Sequence, residues 1–128
     1  MTEMTVLALG VLLTGVYQLF HTANAAPQVG LGYALSARDE KRELTGRAGR
    51  ISRALDNQVA ALAIFAAAAV AVALTASASA FTAGCAWAWL AARILYLPAY
   101  ALGLSPWRSL IWGVGWAASM AMAAAAAL

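Results

Sequence analysis

A bundle of four apolar helices crossing a membrane up-down-up-down, an all-α integral membrane architecture, is what these 128 residues encode. Three features point to it. Hydrophobic residues make up 64% of the chain and charged residues 10%, against roughly half and about a quarter in soluble domains. At this length the excess is not the core of a large soluble domain, so it must face lipid. Finally, no Asp, Glu, Lys or Arg occurs from Met4 to Ala37, from Asn57 to Ala92, or from Ser109 to Leu128.

A spanning helix takes about 20 predominantly apolar residues, so the whole chain reads as a single four-span domain over residues 1–128. The first span is expected at residues 5–26. Ala23-Asn24-Ala25 resembles a signal-peptide cleavage site, but Met1-Thr2-Glu3 brings no basic residue, so the segment reads as a retained helix. The middle charge-free stretch suits two helices, at residues 50–75 and 81–104, turning at the polar Thr75, Ser77 and Ser79. Ser105-Pro106 then separates off the last span, at residues 107–127.

The basic residues are Arg38, Lys41, Arg42, Arg47, Arg50, Arg53, Arg93 and Arg108. In an up-down bundle all of them lie on one side of the bilayer midplane or near it. The positive-inside rule makes that side cytoplasmic, which places the loop from Gln28 to Arg47 inside and both termini outside. The formal charge of +3 is thereby explained by orientation, since Asp39, Glu40 and Glu43 are mixed into the same loop. No nucleic-acid partner is expected. Cys85 is the one cysteine and His21 the one histidine, too few for a metal site.

Ala66 to Ala69, Gly113-Val114-Gly115 and the Ala-rich end at Leu128 are small-residue stretches that let helices approach closely in lipid. Trp87, Trp89 and Trp107 fall near span ends, where tryptophan is expected to anchor at the interface.

The composition does not account for Arg93, about ten residues and so roughly 15 Å into the third span. A charge there costs at least ~2.5 kcal/mol unless paired or hydrated. Tyr96 and Tyr100 follow at helical spacing on the same face, and on the second span Arg50, Arg53, Asp56 and Asn57 share a face likewise. If the two faces meet, they form a polar pocket. The simplest arrangement pairs Arg93 with Asp56, with the tyrosines snorkelling toward the interface. Against that, Arg50, Arg53, Arg93 and Arg108 outnumber the single acid, so a small carboxylate-bearing anion suits the pocket, held by the forked geometry of guanidinium.

At these residues the chain resembles the MAPEG family, the membrane-associated proteins of eicosanoid and glutathione metabolism. Arg50-Ile51-Ser52-Arg53-Ala54-Leu55-Asp56-Asn57 looks like the family's R-x-x-R-A-x-x-N stretch, followed by Phe65-Ala66 as in many bacterial members. Arg93-Ile94-Leu95-Tyr96 with Tyr100, then Arg108-Ser109, resembles the R-x-x-Y-x-x-x-Y helix and the arginine opening the last span. Ala60 and Ala63 stand where the family pattern has a glutamate and a proline.

The resemblance implies a homotrimer in a bacterial inner membrane, with glutathione held between subunits and a lipophilic small molecule entering from membrane lipid. Carried over by position, Arg53, Asn57, Arg93, Tyr96 and Tyr100 would contact the tripeptide, with Arg50 nearby and Asp56 as the remaining acid. Arg108 would sit by the sulfur as the catalytic cation, with Ser109 as a hydrogen-bond donor or a helix cap. Guanidinium stays protonated, so Arg108 would act by stabilising thiolate, the nucleophilic form. The expected function is a glutathione-dependent transferase or peroxidase. The alternative is a catalytically weak member that binds lipid or another anion, or is structural. A small four-span exporter also fits the length, but proton-coupled transport uses a deep acid, and Asp56 at a helix start is the one candidate.

Overall fold

The computed structural model describes all residues from Met1 to Leu128. Four long helices dominate: α1 (Thr2–Val29), α3 (Gly46–Leu74), α4 (Ala80–Ala101) and α5 (Trp107–Ala127), with a one-turn helix α2 (Leu31–Ala34) after the first. Each long helix is long and apolar enough to cross a membrane. α2 has no apolar periodicity long enough to announce it in the sequence.

Contacts fix the helix directions. Near one end Glu3 of α1 meets Thr82 of α4, and farther along both helices Tyr17 donates to the carbonyl of Arg93 at 2.5 Å, so α1 and α4 run parallel. Thr14 meets Gln58 of α3, while Gln28 bonds both N–H and carbonyl of Thr45 at 3.0 Å, so α1 and α3 are antiparallel. The bundle is thus up-down-up-down. Both α3 and α4 pack against every other long helix, whereas α1 and α5 do not pack on one another.

The turns follow from local chemistry. Ala76 has φ 54° between Thr75, whose hydroxyl returns to Ala71, and Ser77. Ser79 then caps α4 in a reciprocal box with Thr82, satisfying two otherwise orphaned N–H groups. α4 closes at Ala101 instead of running to Leu104. Gly103 adopts φ 67°, and the N–H of Leu104 turns back to the carbonyl of Ala99 at 2.9 Å, ending the helix.

Two apolar clusters fill the bundle. One, around Val6, Phe65, Val72, Trp89 and Met122, lies toward the end marked by Glu3. The other joins Tyr17, Ile51, Ala54, Tyr96 and Leu97 toward the basic end. Trp89 is buried (1% exposed) and stacks on Phe65 with ring centroids 4.1 Å apart. It is therefore a core residue and not an interfacial anchor, because its neighbours on α1 and α3 close over it. Trp87 (49%) and Trp107 (62%) are exposed, as anchors require.

Candidate functional site

Between the two apolar clusters lies a polar layer. Arg93, 1% exposed, donates from Nε to Oε1 of Gln58 at 2.7 Å. Gln58 Nε2 donates to Thr14 Oγ1 at 3.0 Å, and Thr14 donates to the carbonyl of Gly10 at 2.8 Å. The guanidinium also lies 4.2 Å over the ring of Tyr96. Asp56 does not pair with Arg93. It is exposed, and one residue's rotation around α3 separates it from Asn57; the amide of Gln58 takes the arginine instead. The ion pair present is Arg42 with Glu40, in the basic loop.

One turn nearer the basic end, Arg53 and Arg108 converge on Tyr100. Arg53 Nε donates to its hydroxyl at 3.3 Å, and Arg108 lies 4.8 Å over its ring. Tyr96 and Tyr100 stand 5.5 Å apart, tilted. Arg50 turns elsewhere. Its Nε donates to the carbonyl of Ala101 at 3.0 Å, so it holds the C-terminus of α4, where a cation satisfies the orphaned carbonyls and the helix dipole.

Two adjoining cavities of about 180 Å³ each organise these side chains. The first is lined by Asn57, Tyr96, Arg108, Ser109 and Trp112. The second lies deeper between α3 and α5, where Arg93, Asn57 and Ser119 meet an apolar wall that includes Trp89, Trp112 and Trp116. Asn57 and Trp112 line both. Neither contains a carboxylate. Ala60 faces the deeper one. Ser109 is not the cap of α5, since Pro106 occupies that position.

Two buried side-chain atoms have no hydrogen-bond partner, Asn57 Oδ1 and Arg93 Nη2. Such atoms are uncommon and costly, and both belong to residues lining the deeper cavity. A third and larger cavity, about 560 Å³, lies by the basic loop and includes His21, Arg38 and Arg42. Its arginines bond helix-end carbonyls, Arg38 to Ala34 and Arg42 to Val29, which accounts for them structurally.

The MAPEG family model matches residues 3–128. The chain belongs to the MAPEG family. It is accordingly an integral membrane protein of that family, in keeping with its four apolar helices. Comparison with curated proteins and with solved structures found no match.

The MAPEG motif residues therefore divide into three groups. Asn57, Tyr96, Arg108 and Ser109 share one cavity, with Arg53 and Tyr100 beside it through Tyr100's contacts to both arginines. Arg93 lines the deeper cavity and not the first. Arg50 and Asp56 line neither. Gln58, Thr14, Trp112, Trp116 and Ser119 escaped the sequence reading. Gln58 carried the clearest signal, as a polar residue beginning an otherwise apolar run, since intramembrane polar groups need partners.

Proposed function

We propose that this MAPEG protein is a glutathione-dependent transferase or peroxidase acting on a lipophilic electrophile. The observation that carries the reading is the cavity in which Arg108 stands with Asn57, Tyr96 and Ser109 and without any carboxylate. A cation in low dielectric, with no acid to neutralise it, favours the ionised form of a thiol placed beside it. The Ser109 hydroxyl is a second donor for the same sulfur.

The cavity takes the thiol end of the tripeptide, and the rest extends along the open groove at Arg53 and Tyr100. Arginine and tyrosine donors there suit carboxylates, and Asn57 Oδ1, buried and unpartnered, suits a peptide N–H. A neighbouring copy in a homotrimer would close the open side. By the positive-inside rule, the groove faces the cytoplasm of a bacterial inner membrane.

A second reading, a catalytically weak member that binds a lipid or another anion, is favoured by Ala60. Its methyl faces the cavity, and with Asp56 outside there is no acid to hold the ligand's ammonium group. Thermal unfolding of the purified protein with glutathione separates the two. Ligand at a hundred times its dissociation constant adds about 2.7 kcal/mol to native-state stability, so a rising Tm supports the transferase reading and an unmoved Tm supports the second.

A further inference from the structure

The cavity of about 560 Å³ lies at the basic end, between α1, the loop that follows it and the start of α3. Two arginines, a histidine and a tyrosine line it, and no carboxylate does. Both guanidiniums are fixed along one edge. Arg38 gives Nε and Nη2 to the carbonyl of Ala34 at 3.2 and 2.8 Å, while Arg42 gives Nη1 to the carbonyl of Val29 at 2.6 Å and lies 4.4 Å over the ring of Tyr33. A guanidinium has five N–H donors, so each keeps some for an anion, and both residues are exposed and can be reached by one. Glu40 comes no nearer to Arg42 than 3.7 Å and its side chain is 77% exposed, so water screens that pair. Arg38 meets no acid.

The position in the membrane selects the anion. His21 and Thr22, which line the cavity, stand about 30 Å from the start of α1 at the rise of an α-helix, and the hydrocarbon core is about that thick. They therefore reach the level of the headgroups, with Leu19 and Phe20 exposed beside them. The cavity is also separate from the one that holds Arg108. Leu55 lines the first and Asn57 the second, and two residues turn a helix by about 200°, so the two open on opposite faces of α3. We propose that this cavity binds the phosphate of an anionic phospholipid, whose acyl chains lie along α1 past Leu19 and Phe20. Basic pockets at a membrane surface hold acidic headgroups, and guanidinium forks onto phosphate oxygens. A zwitterionic lipid brings the same phosphate with an ammonium group, which two arginines without a carboxylate repel. Because Arg38 and Arg42 belong to the loop joining α1 to α3, the bound headgroup pins that loop to the bilayer surface.

The test titrates the full chain in a neutral detergent with dioleoyl-phosphatidylglycerol or dioleoyl-phosphatidylcholine and reads the bound lipid by native mass spectrometry. The first phosphatidylglycerol is expected to bind about tenfold or more tightly than the first phosphatidylcholine, as charge-assisted hydrogen bonds to an unopposed anion predict. Replacing Arg38 and Arg42 together with Gln weakens phosphatidylglycerol by about tenfold or more and phosphatidylcholine by less than about twofold. Those arginines also hold helix-end carbonyls, so Thr22→Glu gives a second reading that leaves them in place. Thr22 is exposed and lines the cavity, and a carboxylate there competes with the phosphate for the guanidiniums, with the same selective loss expected. Equal affinity for the two lipids overturns the proposal, as does unchanged phosphatidylglycerol binding in Thr22→Glu. Displacement of the lipid by equimolar inorganic phosphate would make free phosphate the ligand and overturn the lipid as its source. The glutathione-dependent rise in Tm, where wild type shows one, is expected to persist in Thr22→Glu, and its loss would merge this cavity with the glutathione site and overturn its separate role. Selective lipid binding by a protein that glutathione does not stabilise sustains the lipid site and removes only the transferase reading.

Discussion

Arg93 and Gln58, on adjacent antiparallel helices, meet at 2.7 Å through Nε and Oε1 in the middle of the bundle. The amide bridges onward to Thr14, so three helices are tied together at one level. Replacing Gln58 with Leu leaves a buried guanidinium without its acceptor, which costs about 2–3 kcal/mol. A lowered Tm in detergent is expected, and an unchanged Tm would show the bond to be dispensable.

At the opposite end, Glu3 is buried and accepts a hydrogen bond from Thr82 at the start of α4. A carboxylate is favoured by the positive end of a helix dipole, and Thr82 also completes the capping box with Ser79. Thr82→Val removes both contacts. It should lower stability by about 1–2 kcal/mol, read as a fall in Tm, while glutathione-dependent stabilisation persists because the site lies at the other end.

Gly10 gives α1 its close approach to the core. A Cβ at that position would stand 2.9 Å from Trp89 and 3.2 Å from Leu62. Gly10→Ala is therefore expected to destabilise by about 1–3 kcal/mol through overpacking, despite alanine's better helix propensity. A raised Tm in that variant would mean that the Trp89 ring yields at no cost.

Arg50, in the family motif but bonded to the carbonyl of Ala101, reads as a helix-end clasp. Arg50→Gln should cost on the order of 1 kcal/mol and leave the glutathione-dependent rise in Tm in place. Loss of that rise would return Arg50 to the ligand.

The four spans were legible because charge is confined so sharply, and the polar turn at Thr75 to Ser79 was legible because hydroxyl side chains compete with helix. The site was legible in part. Helical spacing put Arg53, Asn57, Tyr96 and Tyr100 on facing surfaces, but spacing carries no information about depth across a bundle. It therefore merged Arg93 with Arg108, which the structure sets in adjoining cavities, and offered Asp56 as a partner where Gln58 was nearer. Trp89 was misplaced for a related reason. Proximity to a span end describes height in the membrane, whereas burial depends on which helices lie alongside. The cavity wall of Trp112, Trp116 and Ser119 comes from α5, whose small and aromatic residues gave no periodic signal strong enough to assign a face.

The most direct measurement is the ultraviolet absorbance of thiolate on adding glutathione to wild-type protein and to Arg108→Ala. Arg108 touches the ring of Tyr100 and lines the cavity proposed for the sulfur. The expected result is a saturable thiolate band in the wild type that disappears in the variant, with assembly and Tm nearly unchanged. A band of equal size in both proteins would contradict the account, because the sulfur would then be ionised by something other than this guanidinium.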